Sequence, residues 1–335
     1  MKKALLFPCI YFLCNVVLIT FGFSLNSFSQ SGTQPQQSQW NFTRDIAVNY
    51  TGIQFNDAVV LVELNTSTFD FSKANTDGSD IRFSLQSNRI QGSGLSYWIE
   101  QWNINGISRL WVKIPKLPKK STTSISMFYG NQTALAVSNG DKTFLFFDDF
   151  NGNSISNKWT NVSIESVKEE GGLLKLKEAD GQNGIIRSNF DVTDKMIIRT
   201  NYQRENGDRH WVRTGISAWN KWLSWGDYYT TDGYDDGYLM LFNDSVNKLY
   251  QRTTTLHPDD KWHTISYSYD GKKLQGFRDK DSVEMITPNA VSKLGIMTLD
   301  NDACDLYDFI TVANFVNPIP KVVIGIQKPV IIKSK

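Results

Sequence analysis

His263-Thr264-Ile265-Ser266-Tyr267-Ser268-Tyr269 is followed by Asp270-Gly271 and by a second short run, Lys273–Phe277. Short runs that alternate or stay apolar are typical of β-strands, and Asp-Gly between two of them favours a tight turn. The stretch therefore predicts a β-hairpin. Similar runs recur from Trp40 onward, where almost no helical periodicity is found. They are Asp45–Tyr50, Ala58–Leu64, Ile81–Leu85, Ser108–Ile114, Thr123–Phe128, Leu173–Lys177, Met196–Tyr202, Val212–Ala218, Tyr238–Phe242, Lys293–Leu299 and Phe309–Val312.

Length and composition place these strands in an ordinary globular protein. The 335 residues include 35 Lys and Arg against 34 Asp and Glu, which excludes the basic surface expected of a nucleic-acid-binding protein. At about 100–200 residues per domain, the chain is long enough for two domains. Many short strands separated by turn signals are typical of β-sandwiches. The sequence therefore predicts an all-β protein of two β-sandwich domains.

The N-terminus has the pattern of a bacterial-type secretory signal. Lys2 and Lys3 precede an apolar run, Leu5–Phe23, and a polar stretch of small residues follows. A membrane anchor is the alternative, since a span needs about 20 apolar residues. Pro8 and Asn15 interrupt the run, which favours cleavage. We therefore predict a signal peptide over 1–30, a flexible leader over 31–39, and a periplasmic, cell-surface or extracellular protein with no membrane span after cleavage.

Export also limits the cysteine chemistry. Cys9 and Cys14 lie within the predicted signal, so the exported chain retains only Cys304. A single cysteine excludes an intramolecular disulfide and zinc sites built on several cysteines.

The boundary between the predicted domains falls at 139–147. Asn139-Gly140-Asp141-Lys142 is polar and typical of a turn, and the aromatic run Phe144–Phe147 follows it. We assign 40–143 to the first domain, 144–318 to the second, and 319–335 to a C-terminal extension.

Five spaced blocks mark the first of these segments. They are Trp40 with Arg44-Asp45-Ile46; Ala74-Asn75-Thr76-Asp77-Gly78-Ser79-Asp80-Ile81-Arg82-Phe83; Leu95-Ser96-Tyr97-Trp98-Ile99-Glu100-Gln101-Trp102-Asn103; Leu110-Trp111-Val112-Lys113-Ile114-Pro115; and Ser126-Met127-Phe128-Tyr129-Gly130-Asn131. Residues 40–147, which contain them, resemble the family catalogued as domain of unknown function 2341. The resemblance implies an extracellular β-sandwich module whose activity is not known.

A second set of blocks runs through 144–318. They are Phe147-Asp148-Asp149-Phe150-Asn151 with Trp159, Gly172–Leu176, Lys261–Ile265 leading to Tyr269-Asp270-Gly271, and Leu306–Val312. This segment resembles the concanavalin A-like lectin/glucanase superfamily, close to laminin-G-like modules. The resemblance implies a jelly roll whose first and last strands pair, glycan binding on one sheet, and often a structural calcium ion. The Glu-x-Asp-x-x-Glu strand of the superfamily's hydrolases is absent.

The sequence gives little support for a catalytic site. A retaining glycosidase needs two carboxyl groups about 5–5.5 Å apart, and no predicted strand carries carboxylates at a suitable spacing. A lyase would need convergent His, Tyr and Arg, for which His210, Arg213, Tyr228 and Tyr229 are candidates. A structural role for these four residues is the alternative. His257 and His263 are interpreted as loop and packing residues.

The segment from Trp211 to Tyr238 is unusually aromatic, and it is interpreted as one long loop with its flanking strands. Pyranose rings have a flat C–H face edged by hydroxyl groups, so a sugar site combines exposed aromatic rings with polar side chains. Packing of the loop onto the sandwich is the alternative. The candidate glycan-binding residues are Trp211, Arg213, Trp219, Trp222, Trp225, Asp227, Tyr228, Tyr229 and Tyr234. Trp98, Trp102 and Trp111 are interpreted as packing residues.

A structural calcium ion is the one cofactor considered. Calcium takes six to eight oxygen ligands, and pairing of the first and last strands of the jelly roll would bring Asp148 or Asp149 near Asp308. We assign Asp149 and Asp308 as candidate metal ligands.

The leading functional hypothesis is a secreted or cell-surface, non-catalytic protein that binds a glycan through its second domain. The alternatives are a polysaccharide-active enzyme, either a lyase or an atypical hydrolase, and an adhesion or envelope-structural protein with protein partners.

Overall fold

The structure is a computed structural model. It describes residues 40–85, 94–152, 154–161, 167–177, 184–191, 195–206, 212–219, 223–230, 236–243, 248–252, 261–270, 273–279, 281–286, 293–299 and 304–330. For the described residues within 212–252 and 293–299 the description is of the backbone alone. The predicted signal peptide and leader lie outside the described residues. Within the described ranges, no helix is both long and apolar enough to cross a membrane.

The predicted all-β class is confirmed. In chain order the strands are β1 Phe42–Tyr50, β2 Phe55–Leu64, β3 Arg82–Ser84, β4 Tyr97–Gln101, β5 Ser108–Leu117, β6 Ser121–Tyr129, β7 Phe146–Asp148, β8 Trp159–Asn161, β9 Val167–Glu170, β10 Leu173–Lys177, β11 Gly184–Asp191, β12 Met196–Asn206, β13 Val212–Trp219, β14 Leu223–Thr230, β15 Asp236–Asn243, β16 Lys248–Arg252, β17 His263–Tyr269, β18 Lys273–Arg278, β19 Asp281–Ile286, β20 Lys293–Leu299, β21 Cys304–Asn314 and β22 Lys321–Pro329. A 3₁₀ turn, Phe71–Lys73, and a short helix α1, Gly140–Thr143, accompany them.

The first sandwich packs a four-stranded sheet, β22-β1-β6-β3, against a three-stranded sheet, β2-β5-β4. Alternate residues of β1 and β2 are buried, as expected for strands with one face on a core. The core takes Ile46 and Val48 from one sheet, and Val60 and Val112 from the other. This pattern explains why the strands of the first half were readable from the sequence.

The last strand changes the assignment of the C-terminal extension. Lys321–Pro329 pairs antiparallel with β1, from Phe42 opposite Pro329 to Asn49 opposite Lys321. Val322 and Ile324 of this strand pack against the core of the first sandwich. Most of the segment assigned as an extension is therefore a strand of the first sandwich, and the second sandwich lies between its strands in the sequence. Residues 37–335 form one compact unit, and the division into separate domains stays a prediction.

The second sandwich is built from two larger antiparallel sheets. One has the order β19-β18-β17-β12-β21-β10-β9, with β7 also paired to β21, and the other has the order β16-β15-β14-β13-β20-β11-β8. Its core joins residues of both sheets, among them Ile186, Ile198, Ile265 and Ile310. The hairpin predicted at Asp270-Gly271 is present, since β17 pairs with β18 from Tyr269 opposite Leu274. The jelly roll's first and last strands also pair, with Asp148 opposite Ile310.

An aromatic cluster joins the two sandwiches. Trp98 of β4 contacts Phe144, Phe147 and Phe309 with ring centroids 5.0–5.7 Å apart. Trp111 of β5 packs against the same cluster. Both tryptophans have the packing role predicted for them, and the phenylalanines that they contact lie in the segment assigned to the second domain.

Candidate functional site

The aromatic segment proposed as a glycan site is mostly strand, which corrects the expectation of one long loop. In this segment β13 pairs directly with β14, and β14 pairs with β15. Arg213 and Trp219 lie on β13, and Trp225, Asp227, Tyr228 and Tyr229 lie on β14. The candidates Trp211, Trp222 and Tyr234, and the lyase candidate His210, lie outside the described residues.

Strand register divides these candidates into two groups. Arg213 is opposite Tyr228, and Tyr228 is opposite Tyr238 of β15. Ile216 is opposite Trp225, and it is also opposite Ile296, which pairs with the fully buried Ile186. Because successive residues of a strand alternate between faces, Arg213, Tyr228 and Trp219 occupy positions on one face. Trp225, Asp227 and Tyr229 occupy positions on the other, which is the face of Ile186.

Small residues follow the Arg213–Tyr228 pair along the same face. Gly215 is opposite Gly226, and Ser217 is opposite Ser224. Glycine inside a strand weakens the strand and often marks a place where a ligand or another backbone approaches closely. The face therefore combines a row of two tyrosines and an arginine with a neighbouring floor of small residues on β13 and β14, bordered by Met297 of β20 and Met240 of β15.

The two predicted metal ligands lie near one another. Burial raises the pKa of Asp308 above its ordinary value, the charges of Glu100 and Asp149 raise it further, and a hydrogen bond from Asn201 opposes them. Among the described residues, no group of three or more His, Cys, Asp or Glu side chains is arranged to hold a metal ion. Calcium binding at Asp149 and Asp308 stays a prediction.

The neighbouring Asp148 has a structural role. Its carboxylate accepts hydrogen bonds from the Phe150 amide at 3.0 Å, the Ser156 hydroxyl at 2.9 Å and the Trp159 indole at 2.7 Å. These bonds use both carboxylate oxygens and fix Trp159 in the core of the second sandwich.

A buried ion pair crosses the junction between the sandwiches. Arg199 of β12 donates to both carboxylate oxygens of Glu100 of β4, at 2.6 and 3.2 Å. The Trp111 indole donates to the same carboxylate at 2.6 Å, and the Arg199 guanidinium lies 5.0 Å from the centre of the Trp111 ring. The sequence interpretation missed this pair, since its members are 99 residues apart in the chain.

A second missed arrangement lies at the start of β17. The imidazole Nδ1 of His263 is 2.7 Å from a carboxylate oxygen of Asp279, and the other oxygen accepts the Thr264 amide at 3.1 Å. The hydrogen bond from His263 and that from the Thr264 amide outweigh the effect of burial and lower the pKa of Asp279. The pair holds the first residue of β17 against the turn after β18, consistent with a structural role for His263.

The Asp-Gly-Ser-Asp-Ile-Arg block is also structural. Asp80 is fully buried and accepts hydrogen bonds from the backbone amides of Asn75 at 2.9 Å, Gly130 at 2.6 Å and Asn131 at 3.2 Å. Arg82 donates to the carbonyl oxygens of Ser79, Ile81 and Leu135. These bonds tie the loop before β3 to the end of β6.

Sequence comparison supports part of the family resemblance. Residues 77–162 match the family described as Domain of unknown function (DUF2341). The match begins at the second of the five blocks and extends into β8, so Trp40 and Arg44-Asp45-Ile46 lie outside it. The chain is also similar to an uncharacterized protein of Methanocaldococcus jannaschii, at 23% identity over 214 residues. The alignment covers 60% of this chain and 38% of that protein, so the chain matches well under half of its relative's length.

Comparison with solved structures finds glycoside hydrolases. One comes from a study of endo-acting O-glycanases with which human gut microbiota initiate mucin breakdown (14% identity, TM-score 0.43, 52% of this chain and 100% of that chain). Another is a glycosyl hydrolase family protein from Mycobacterium fortuitum (13%, TM-score 0.41, 50% and 99%). A third is the β-glucanase of Bacillus licheniformis (10%, TM-score 0.40, 50% and 97%).

Proposed function

We propose that the protein binds a carbohydrate on the Arg213–Tyr228–Tyr238 face of the seven-stranded sheet and does not cleave it. The observation that carries the proposal is the register of β13, β14 and β15, which aligns these three residues beside a floor of glycine and serine. Aromatic rings stack on the apolar face of a sugar ring, and arginine donates hydrogen bonds to its hydroxyl groups. A floor of small residues leaves space for the sugar.

The carboxylate content of the same strands supports a binding role over hydrolysis. β13 and β20 carry no Asp or Glu, while β14 and β15 carry one each, Asp227 and Asp236. Asp227 occupies a position on the opposite face from Tyr228, since the two are adjacent in one strand. A pair of carboxyl groups facing one sugar, as retaining and inverting glycosidases require, is therefore not supplied by these four strands.

The proposal includes export, because the signal-like N-terminus would deliver the protein to a compartment where polysaccharides are accessible. N-terminal sequencing of the mature protein tests this part. A new N-terminus near Gln30 supports export with cleavage, and an intact Met1 contradicts it.

Binding to a glycan array and to soluble polysaccharides tests the main proposal. Tyr228→Ala and Arg213→Ala are each expected to weaken binding by about tenfold, which corresponds to about 1.4 kcal/mol. Arg109→Ala is the matched control, because Arg109 is a partly exposed arginine of the first sandwich. Binding unchanged in both sheet variants would contradict the proposal, as would release of new reducing ends or unsaturated products by the wild-type protein.

A further inference from the structure

A cavity of about 430 Å³ lies where the two sandwiches diverge. One wall is the outer face of β2, with Val59 and Leu61, and the opposite wall is formed by Ile197 and Ala313 of β12 and β21. The link between β21 and β22 also lines it, with Val316 and Ile319. Ligand sites typically have volumes of about 300–1,000 Å³ and mainly apolar walls. The size and the lining are therefore those of a small-molecule site.

The cavity continues the interface that the aromatic cluster fills on its other side. Trp111 and Phe144 belong to that cluster and also line the cavity. Protein interiors are normally packed without voids of this size, and uncovered apolar walls gain free energy when an apolar group covers them. An apolar molecule would complete the junction between the sandwiches.

The polar groups of the cavity are few. Arg199, Thr311 and Asn314 come from β12 and β21, whereas the wall of the first sandwich is lined by Val322 and Ile324 of β22 and has Glu63 of β2, already paired with Arg109, as its charged residue. A fitting ligand therefore has an apolar body and a hydrogen-bonding group at one end. Apart from Trp111, Phe144 and Phe315, the apolar walls are aliphatic, which suits a flexible aliphatic body.

The charges of the lining favour an uncharged ligand. Arg199 is neutralised by its paired hydrogen bonds to Glu100, and Glu63 is 3.5 Å from Arg109. A carboxylate near Arg199 would lie close to Glu100, and burial of a like charge without a new partner is costly. A hydroxyl or amide oxygen can accept hydrogen bonds from the remaining guanidinium N–H groups without that cost.

We propose that the cavity between β2, β12, β21 and the link to β22 binds an uncharged amphipathic molecule with an aliphatic body and a hydroxyl or amide head. Its walls come from both sandwiches, so the bound molecule stabilises their junction. The site is separate from the proposed carbohydrate face and stands whether or not that face binds sugar.

The fluorescence of N-phenyl-1-naphthylamine, which increases in apolar surroundings, tests the proposal on the purified protein. We expect saturable binding of this probe and its displacement by 1-decanol. Decanoate is expected to displace it at least about tenfold less well, because its charge is not accommodated. Absence of saturable binding would overturn the proposal, and equal displacement by decanoate would overturn the uncharged head.

Leu61→Trp locates the binding. Leu61 lines the cavity and belongs to neither sandwich's core, so tryptophan should fill the space and weaken probe binding by at least about tenfold. The matched control is Leu135→Trp, at a side chain that is 82% exposed and outside the cavity. Equal binding by both variants would overturn the assignment. Ile319→Asp is a second variant that does not threaten folding, because Ile319 is 81% exposed, and it should also weaken binding.

Discussion

Arg199 and Glu100 form a two-bonded ion pair between β12 of the second sandwich and β4 of the first. Their side chains are 16% and 9% exposed, so both charges are largely removed from water. Such a pair is favourable only while both members are present, since each alone would be an uncompensated buried charge. The pair therefore makes the junction sensitive to single substitutions.

Glu100→Ala is expected to destabilise the protein by about 3 kcal/mol in urea unfolding, because Arg199 loses its partner. The double variant Glu100→Leu/Arg199→Met is expected to lose less free energy of unfolding than the two single variants together, because no charge is left buried. The exposed pair Glu63–Arg109 is the control, and Glu63→Ala should cost under about 1 kcal/mol. Similar losses at both pairs would contradict the assigned role.

Asp308→Asn is expected to stabilise the protein at neutral pH. Burial, helped by the charges of Glu100 and Asp149, raises the pKa of Asp308 above its ordinary value of 3.8. The folded state therefore holds this proton more tightly than the unfolded state, and stability falls as pH rises through the raised pKa. The advantage of the variant should shrink as pH is lowered below about 4 in thermal unfolding series.

If calcium binds at Asp149 and Asp308 as predicted, it should raise the unfolding temperature of the wild type more than that of Asp308→Asn. An equal calcium effect on the two proteins would place any bound ion elsewhere.

Gly325→Ala is expected to destabilise the first sandwich by about 1–3 kcal/mol, the usual cost of overpacking. A Cβ atom at Gly325 would lie 2.7 Å from the carbonyl oxygen of Asp45, which is backbone and cannot easily move. Arg44 also donates to the Gly325 carbonyl at 2.9 Å, so a shift of this strand would disturb a second contact. Val323→Ala on the same strand is the control, and it should lower the free energy of unfolding by less, as measured by chemical denaturation.

Two buried tyrosines should respond differently to removal of the hydroxyl group. Tyr97→Phe is expected to cost about 1 kcal/mol, because the Tyr97 hydroxyl donates to the carbonyl of Ile81. Tyr267→Phe should be neutral or stabilising, since the buried Tyr267 hydroxyl has no hydrogen-bond partner within the described part of the chain. Differential scanning calorimetry on both variants checks this, and a larger loss for Tyr267→Phe would indicate an ordered water molecule at its hydroxyl.

Local patterns predicted the strands that have one buried face. The runs Leu173–Lys177 and His263–Tyr269 are strands with the same ends as predicted. The sequence pattern predicts a loop where β14 lies, and its pairing with β13 and β15 makes it a strand.

Contacts distant in sequence could not be predicted in this way. No local feature of Lys321–Pro329 indicates that it returns to β1, about 280 residues earlier in the chain. The Glu100–Arg199 pair and the cavity likewise depend on how the sandwiches meet. For the candidate site, the sequence predicts which residue types are present. That Arg213 and Tyr228 occupy one face of the sheet, and Trp225 and Asp227 the other, follows only from the strand register.

The pairing of β1 with β22 also has a mechanical consequence. Phe42 and Pro329 are opposite one another at one end of this strand pair, and just beyond them the Val330 amide donates to the Asn41 carbonyl. A force that pulls Asn41 and Val330 apart would therefore break this hydrogen bond first and then open the ladder one residue pair at a time. Strands pulled in this direction resist far less than strands sheared along their length, so β22 should detach at low load and uncover the edge of β1.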